Sequence, residues 1–300
     1  MKKVAIVGLG NVGIAYLNTL VTEDNLVNEI VLIDINKNKL EGELLDVIDS
    51  LSIINSSINI YIGNYKDVRD ADILVIAAGK NQDIGETRLD LLEVNKTIVK
   101  SITEEAILNG FNGVFVIATN PVDIMSYVVY KTSNMSPNKV IGSGTLLDTA
   151  RLKSIIKERT NINTSDINIS VIGEHGENIV VLWSKGFINM IPIDSLFTLD
   201  EKLLMEEEVK TRATKIINKK GYTSEGISLS LLEITKAILN NENKVLNIST
   251  YIDGIYTGMP AIVNINGVKG VVNIEFTEEE KNRFSSSINK TKKVIEDMEV

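Results

Sequence analysis

The apolar run Val4-Ala5-Ile6-Val7 passes directly into Gly8-Leu9-Gly10-Asn11-Val12-Gly13 and then into Ile14-Ala15-Tyr16-Leu17. A short β-branched run closed by glycine reads as a strand, the glycines as a tight turn, and the apolar residues beyond them as a helix. Each glycine meets a separate steric demand. Gly8 permits the turn, Gly10 lets a phosphate group approach the backbone, and Gly13 lets the helix pack closely on the strand. Backbone amides at the helix start then point at a pyrophosphate. Glycines at a turn need no ligand, so the triplet is insufficient alone. The next apolar run, Ile30-Val31-Leu32-Ile33, ends in Asp34, about 20 residues beyond the last glycine, where a carboxylate accepts hydrogen bonds from ribose hydroxyls.

Together these features define a dinucleotide site of the Rossmann type. Asp34 also selects the cofactor, because a carboxylate there repels an added 2′-phosphate and so favours NAD over NADP. The competing reading makes Asp34 a turn cap before Asn36-Lys37. Lys37 is the nearest basic residue, and a solvated lysine at a helix start is its plainer explanation.

Further short apolar runs, Ile58 to Ile62, Ile73 to Ala77, Val114 to Ala118 and Val140-Ile141, alternate with amphipathic stretches such as Arg88 to Ala106. That alternation predicts a doubly wound parallel sheet with crossover helices. After Gly144 the character changes. Ile167, Ile169 and Val171 alternate with polar residues, segments from Val245 and Ala261 read as antiparallel strands, and Asn264-Ile265-Asn266-Gly267 reads as a turn. The fold class is therefore α/β, with an NAD-binding domain over 1–142 followed by an α+β catalytic and substrate domain over 143–300. Leu199 to Lys219 and Thr277 to Met298 are predicted helices whose dense Glu and Lys read as solvated faces. No repeat or Pro-rich linker separates the halves, so a close interface between them is expected.

A net charge of −9 argues against a nucleic-acid partner, which would need a basic stripe that the sequence does not show. No apolar stretch reaches the length of a spanning helix and no signal peptide is evident, so a cytoplasmic location away from membranes is expected. With no cysteine and one histidine, disulfides, thiolate metal sites and imidazole clusters are excluded, and no metal is expected, although oxygen ligands for magnesium stay open. The same count leaves a single natural proton carrier near neutral pH: His175, in Gly173-Glu174-His175-Gly176.

Three more polar clusters fall at element ends. Lys80 to Arg88 follows a strand end and contains glycine, which suits either a lid carrying Gln82 near its tip and Arg88 at its base, or an ordinary surface loop. In Thr119-Asn120-Pro121-Val122-Asp123, Asn120 is placed either to bond a substrate oxygen and a nicotinamide, or simply to start a turn. In Gly144 to Arg151, Asp148 and Arg151 share a helix face, as a functional pair or as a surface ion pair with Thr145 capping.

These segments, with Gly85 to Leu91 and Leu147 to Arg151, resemble the L-lactate and L-malate dehydrogenase family from Lys3 to about Lys293. The resemblance implies that His175 is the acid/base, Asp148 its partner, Arg88 the lid residue that polarises the carbonyl, and Arg151 the anchor of the substrate carboxylate. Asn120 completes the site. It further implies that Gly8, Gly10, Asn11, Val12, Gly13, Asp34, Ala78, Gly79, Asn120 and Ile227 surround NAD, that the substrate is a small 2-oxo or 2-hydroxy acid, and that the chain forms a homotetramer or homodimer.

Malate enzymes of this family carry arginine where this chain has Gln82, since a dicarboxylate needs a second cation. Neutral Gln82 and Thr223 therefore point to pyruvate, with Ile227 packing on the nicotinamide. A dehydrogenase of longer 2-hydroxy acids is the alternative, because Glu177-Asn178 departs from the residues frequent in lactate enzymes. Many bacterial members bind fructose 1,6-bisphosphate through an arginine and a histidine, and here Lys153 and Asn168 stand at those positions, so activation is expected to be weak or absent. A catalytically silent NAD sensor is the reading from another class.

Overall fold

The computed structural model describes residues 2–23, 25–80 and 88–298, with 88–90 described by their backbone. Six strands come first in the sheet: β1 (Lys3–Val7), β2 (Glu29–Ile33), β3 (Asn59–Ile62), β4 (Ile73–Ile76), β5 (Val114–Ile117) and β6 (Val140–Gly142). They are parallel and stand in the order β3-β2-β1-β4-β5-β6, with Val7 level with Ile33 on one side and Ile76 on the other. Strand order reverses between β1 and β4, and in open α/β sheets ligands bind at such a reversal, beyond the carboxyl ends of the strands. Gly8, Asp34 and Ala77 stand there.

The connections are α1 (Asn11–Val21), α2 (Lys37–Ile53), α3 (Arg88–Leu108) and α4 (Val122–Ser133). Successive strand side chains point to opposite faces. Val4, Ile6, Ile30, Leu32 and Val75 pack with Leu17 and Leu20 of α1 and Leu40 of α2. Ala5, Val7, Val31, Leu74 and Ile76 pack with Leu92 and Val99 of α3 and Met125 and Val129 of α4. Full burial of each larger side chain contributes roughly 1.5–3 kcal/mol, which is why these strands read as continuous apolar runs and sit covered on both sides.

The second half contains α5 (Leu146–Thr160), β7 (Ile167–Asn168), β8 (Val171–Gly173), β9 (Ile179–Val181), β10 (Phe187–Ile188), β11 (Ile191–Pro192), α6 (Leu199–Lys220), α7 (Glu225–Leu239), β12 (Lys244–Ile252), β13 (Ile255–Asn264), β14 (Gly267–Val271) and α8 (Glu278–Asp297). The large sheet does not end at β6. β12 pairs antiparallel with it at Ser249 and Gly142, and β13, β8 and β9 follow, with β14 on β13, giving eleven strands among the described residues. α7 lies against α1, where the buried Tyr16 hydroxyl bonds Thr235 Oγ1 at 2.6 Å, and Leu231 and Ile234 join the cluster that holds Val4 and Leu17. Sheet and core therefore run through the junction at residues 142 and 143.

Two local expectations change. Ile167, Ile169 and Val171 do not form one strand: β7 pairs with β10 in a separate three-stranded sheet, while β8 joins the large one. The acidic helices are not uniformly solvated either. Glu206 of α6 is buried, accepts a hydrogen bond from Trp183 Nε1 at 2.8 Å and pairs with Arg283 of α8. Glu280 is buried against Ser184 and also closes a capping box with Thr277. A buried carboxylate requires such partners, and apart from Thr277 they are all distant in sequence.

Candidate active site

The turn after β1 is built as its glycines demand. Gly8 has φ +96°, and a Cβ on it would stand 2.3 Å from the Ala78 nitrogen; one on Gly13 would stand 2.0 Å from the Gly8 carbonyl oxygen. These two positions are closed by backbone. Gly10 differs: nothing lies within 4 Å of where its Cβ would be, and it caps α1 without a side-chain hydrogen bond. The first amides of α1, at Asn11 and Val12, thus face an open cradle at a helix N-terminus, which fits a pyrophosphate. On the neighbouring strand end Asp34 accepts hydrogen bonds from the Leu9 amide at 2.6 Å and the Asn36 amide at 2.8 Å. It does cap the turn, and the same contacts fix its carboxylate against the glycine loop. The described residues therefore fit NAD.

Beyond β4 the Thr119 hydroxyl donates to the Ala78 carbonyl at 2.7 Å, and a Cβ on Gly79 would stand 2.7 Å from Thr119 Cγ2. Asn95 of α3, buried, accepts from the Lys80 amide at 2.7 Å and donates to the Asn120 carbonyl at 2.9 Å. This clip joins the β4 and β5 ends and leaves the Asn120 side chain exposed. The Asn120–Pro121 peptide is cis.

Three residues past Asn120, Asp123 accepts from the His175 amide, which brings in a cluster of Asp148, His175 and Arg151. Asp148 occupies the first turn of α5, where the positive helix end favours a carboxylate. Its Oδ2 stands 2.6 Å from His175 Nδ1, and its Oδ1 stands 3.1 Å from Arg151 Nη1. The Asp148 side chain is 3% exposed, that of Arg151 10% and that of His175 24%. This is no surface ion pair. Thr145 does not cap α5 with its side chain but donates to the Val171 carbonyl at 2.6 Å. Burial works against charge on both Asp148 and His175. His175 and Arg151 nevertheless hold Asp148 below the usual carboxylate range, and Asp148, then Asp123, lift His175 above its ordinary value against an opposing Arg151. Because Asp148 is ionised, Nδ1 of His175 must donate to it. Nε2 is thereby left for a reacting oxygen.

Thr223 is half-buried just before α7, and Ile227 packs partly buried against the core cluster of α1. A Cβ on Gly226 would meet Leu147 Cδ1 at 2.6 Å, so this segment abuts α5 beside Asp148. Gln82 lies outside the described residues. Arg88 begins α3, its side chain likewise outside them. Lys153 and Asn168 line one cavity of about 670 Å³, together with Lys185 and Glu275. Among the described residues no group of three or more His, Cys, Asp or Glu is arranged to hold a metal ion, and no helix is long and apolar enough to cross a membrane.

Sequence reasoning missed four contributors. Asn95 left a readable trace, since it falls on the buried stripe of Leu92, Val99, Ile102 and Ala106, where an amide needs a partner. Lys39 reaches back from α2 to the Leu9 carbonyl at 2.8 Å. Asp123 lies within a segment already singled out, but its partners are distant: it accepts from the His175 amide at 2.8 Å and from the Ser249 hydroxyl at 2.5 Å. Nothing local marks Ser249.

A glycine turn and strand-end carboxylate fitted to a dinucleotide, together with a buried Asp–His pair and a guanidinium, are the equipment of a nicotinamide-dependent oxidoreductase. The chain belongs to the lactate/malate dehydrogenase family: its NAD-binding domain model matches residues 2–142 and its alpha/beta C-terminal domain model residues 145–300. It is 39% identical to an L-lactate dehydrogenase of Geobacillus sp. (strain WCH70), over 98% of this chain and 96% of that one. With an L-lactate dehydrogenase of Bacillus pumilus it shares 40% identity over 98% and 97%. A solved minor L-lactate dehydrogenase from Enterococcus mundtii in its ligands-bound form superposes with TM-score 0.95 at 36% identity, covering 100% of this chain and 99% of that one.

Proposed function

We propose that this chain is an NAD-dependent L-lactate dehydrogenase that interconverts pyruvate and L-lactate. The observation that carries the reading is the Asp148 carboxylate shared between His175 and Arg151. One oxygen fixes the imidazole and the other steadies the guanidinium, so a proton carrier and a carboxylate fork stand side by side. Relatives named L-lactate dehydrogenase over nearly the whole length support it.

NAD, when bound, supplies or accepts the hydride. The protein residues handle everything else. Arg151 binds the substrate carboxylate through two parallel hydrogen bonds, fixing the orientation of the 2-oxo group. His175 as imidazolium donates its Nε2 proton to the carbonyl oxygen in reduction and takes it back in oxidation. Asp148 stabilises the cation between these events. Arg88 would stabilise charge on the substrate oxygen and Asn120 would hydrogen-bond it. Gly8, Gly10, Asn11, Val12, Gly13 and Asp34 would hold the pyrophosphate and ribose, with Ala78, Gly79 and Ile227 lining the remainder.

Gln82 and Thr223 favour a small uncharged tail on the substrate. The test is a panel of pyruvate, oxaloacetate, 2-oxobutyrate and 2-oxoisocaproate with NADH. Pyruvate should lead on kcat/KM; a lead for oxaloacetate would overturn the reading of Gln82, and a lead for 2-oxoisocaproate would favour a longer-chain enzyme. The division at residues 142 and 143, a homotetrameric or homodimeric state and a cytoplasmic location belong to the same proposal. So does weak or absent activation by fructose 1,6-bisphosphate, checked by adding it at low pyruvate.

A further inference from the structure

We infer that Asp123 is a positioning residue for His175: it holds the histidine backbone and sets a second negative charge beside the imidazole, so that the protonated form rests on two carboxylates. The inference assumes that His175 is the acid/base.

Asp123 is the second residue of α4 and 2% exposed. Its two oxygens are divided between elements far apart in sequence, Oδ2 accepting from the His175 amide after β8 and Oδ1 from Ser249 Oγ of β12. These bonds pin α4, the histidine turn and β12 together where β6 meets β12. A neutral asparagine oxygen would accept from the His175 amide equally well. What only a carboxylate adds is charge. Burial pushes Asp123 up to about 6 while Ser249 and the His175 amide restrain the rise, and the α4 N-terminus also favours the anion. Its anionic form, favoured by these donors, raises His175 in addition to the effect of Asp148.

Among the described residues, the other charged groups around this pair are Asp148 and Arg151 on α5 and Glu174 on the histidine turn, the last of which raises Asp123. From α8 the neutral Ser287 meets the Glu174 amide. Arg151 opposes the protonation of His175 and Asp148 promotes it. Asp123 strengthens the Asp148 side of that balance.

A single histidine makes the test direct, because the imidazole resonances of the untagged, isotope-labelled chain belong to His175 alone. Its titration is followed by NMR, with and without NADH, in the native chain and in Asp123→Asn, Ser249→Ala and Asp148→Asn. Removing the Asp123 charge should lower the midpoint by about 0.5–1 pH unit, and Asp148→Asn should lower it further. Ser249→Ala, which deprives the Asp123 anion of a donor, should produce a smaller shift in the same direction. The pH limb of kcat/KM for pyruvate should move in parallel.

A folded Asp123→Asn chain with an unmoved midpoint overturns the inference, as does a uniform loss of rate at every pH without such a shift. Should that variant not fold, an unmoved midpoint in Ser249→Ala overturns it instead. The titration requires no turnover. A chain that titrates as described yet reduces no 2-oxo acid would refute the proposed function and leave the Asp123 assignment intact.

Discussion

Asp148 and His175, 27 positions apart in sequence, meet at 2.6 Å between a carboxylate oxygen and Nδ1. The contact decides which ring nitrogen carries chemistry, because an ionised acceptor at Nδ1 commits that nitrogen to donating. It leaves Nε2 as the ring nitrogen that Asp148 does not engage.

His175→Asn should therefore separate binding from chemistry. An asparagine retains a donor for Asp148 but cannot shuttle a proton, so kcat for pyruvate reduction should fall by about 10²–10⁴. NADH binding, followed by fluorescence, should change less than about threefold, since the cradle at Gly10 lies on another element. Equal losses in both would mean that the ring also supports the cofactor.

Arg151→Lys preserves charge and loses the fork. A lysine ammonium cannot form two parallel bonds to one carboxylate, and loss of a charge-assisted bond in a buried site costs about 1.5–3 kcal/mol. Catalytic efficiency with pyruvate should drop roughly 10–200-fold, mostly through KM if the anchor serves substrate and transition state alike. Steady-state kinetics at saturating NADH reads the split.

The three glycines of the first turn should behave differently when replaced by alanine. Gly10 has open space, so Gly10→Ala should keep its melting temperature within a few degrees while NADH affinity collapses, the methyl group standing in the cradle. Gly13→Ala must displace the Gly8 carbonyl, 2.0 Å from the new carbon. It should lose on the order of 1–3 kcal/mol of stability, read by thermal melting without cofactor. Similar melting temperatures for the two variants would contradict the packing described.

The pH dependence follows from the raised His175 and the lowered Asp148. A histidine raised on folding contributes stability that is complete below its unfolded value of about 6.5 and is lost as pH rises through its folded value. A lowered aspartate contributes above its unfolded value of about 3.9 and loses the contribution as pH falls through the folded one. The stability of the native chain over His175→Asn should therefore shrink on going alkaline from neutrality. Pyruvate reduction should fall along the same limb, and lactate oxidation, which needs the neutral ring, should rise. Melting curves and initial rates across pH 6–10 check both; parallel pH trends in the two directions of the reaction would contradict the assignment.

Local sequence decided a great deal here. The run Val4 to Val7, the glycines and Asp34 fall within one strand-turn-helix-strand unit, and strand, turn, helix and a carboxylate at the second strand end follow from short-range sterics and spacing. Continuous β-branched runs likewise announced a sheet covered on both faces, and the single histidine marked His175 as the candidate proton carrier. Tertiary structure decided the rest because the groups involved have no local partner. The joining of β6 to β12 made one sheet of two halves, Glu206 found its cation on another helix, and Asp123 found His175 and Ser249 across the fold. A buried carboxylate looks the same in sequence as a solvated one. Only long-range packing, which removes water and brings donors within hydrogen-bond distance, gives it a fixed charge and a function.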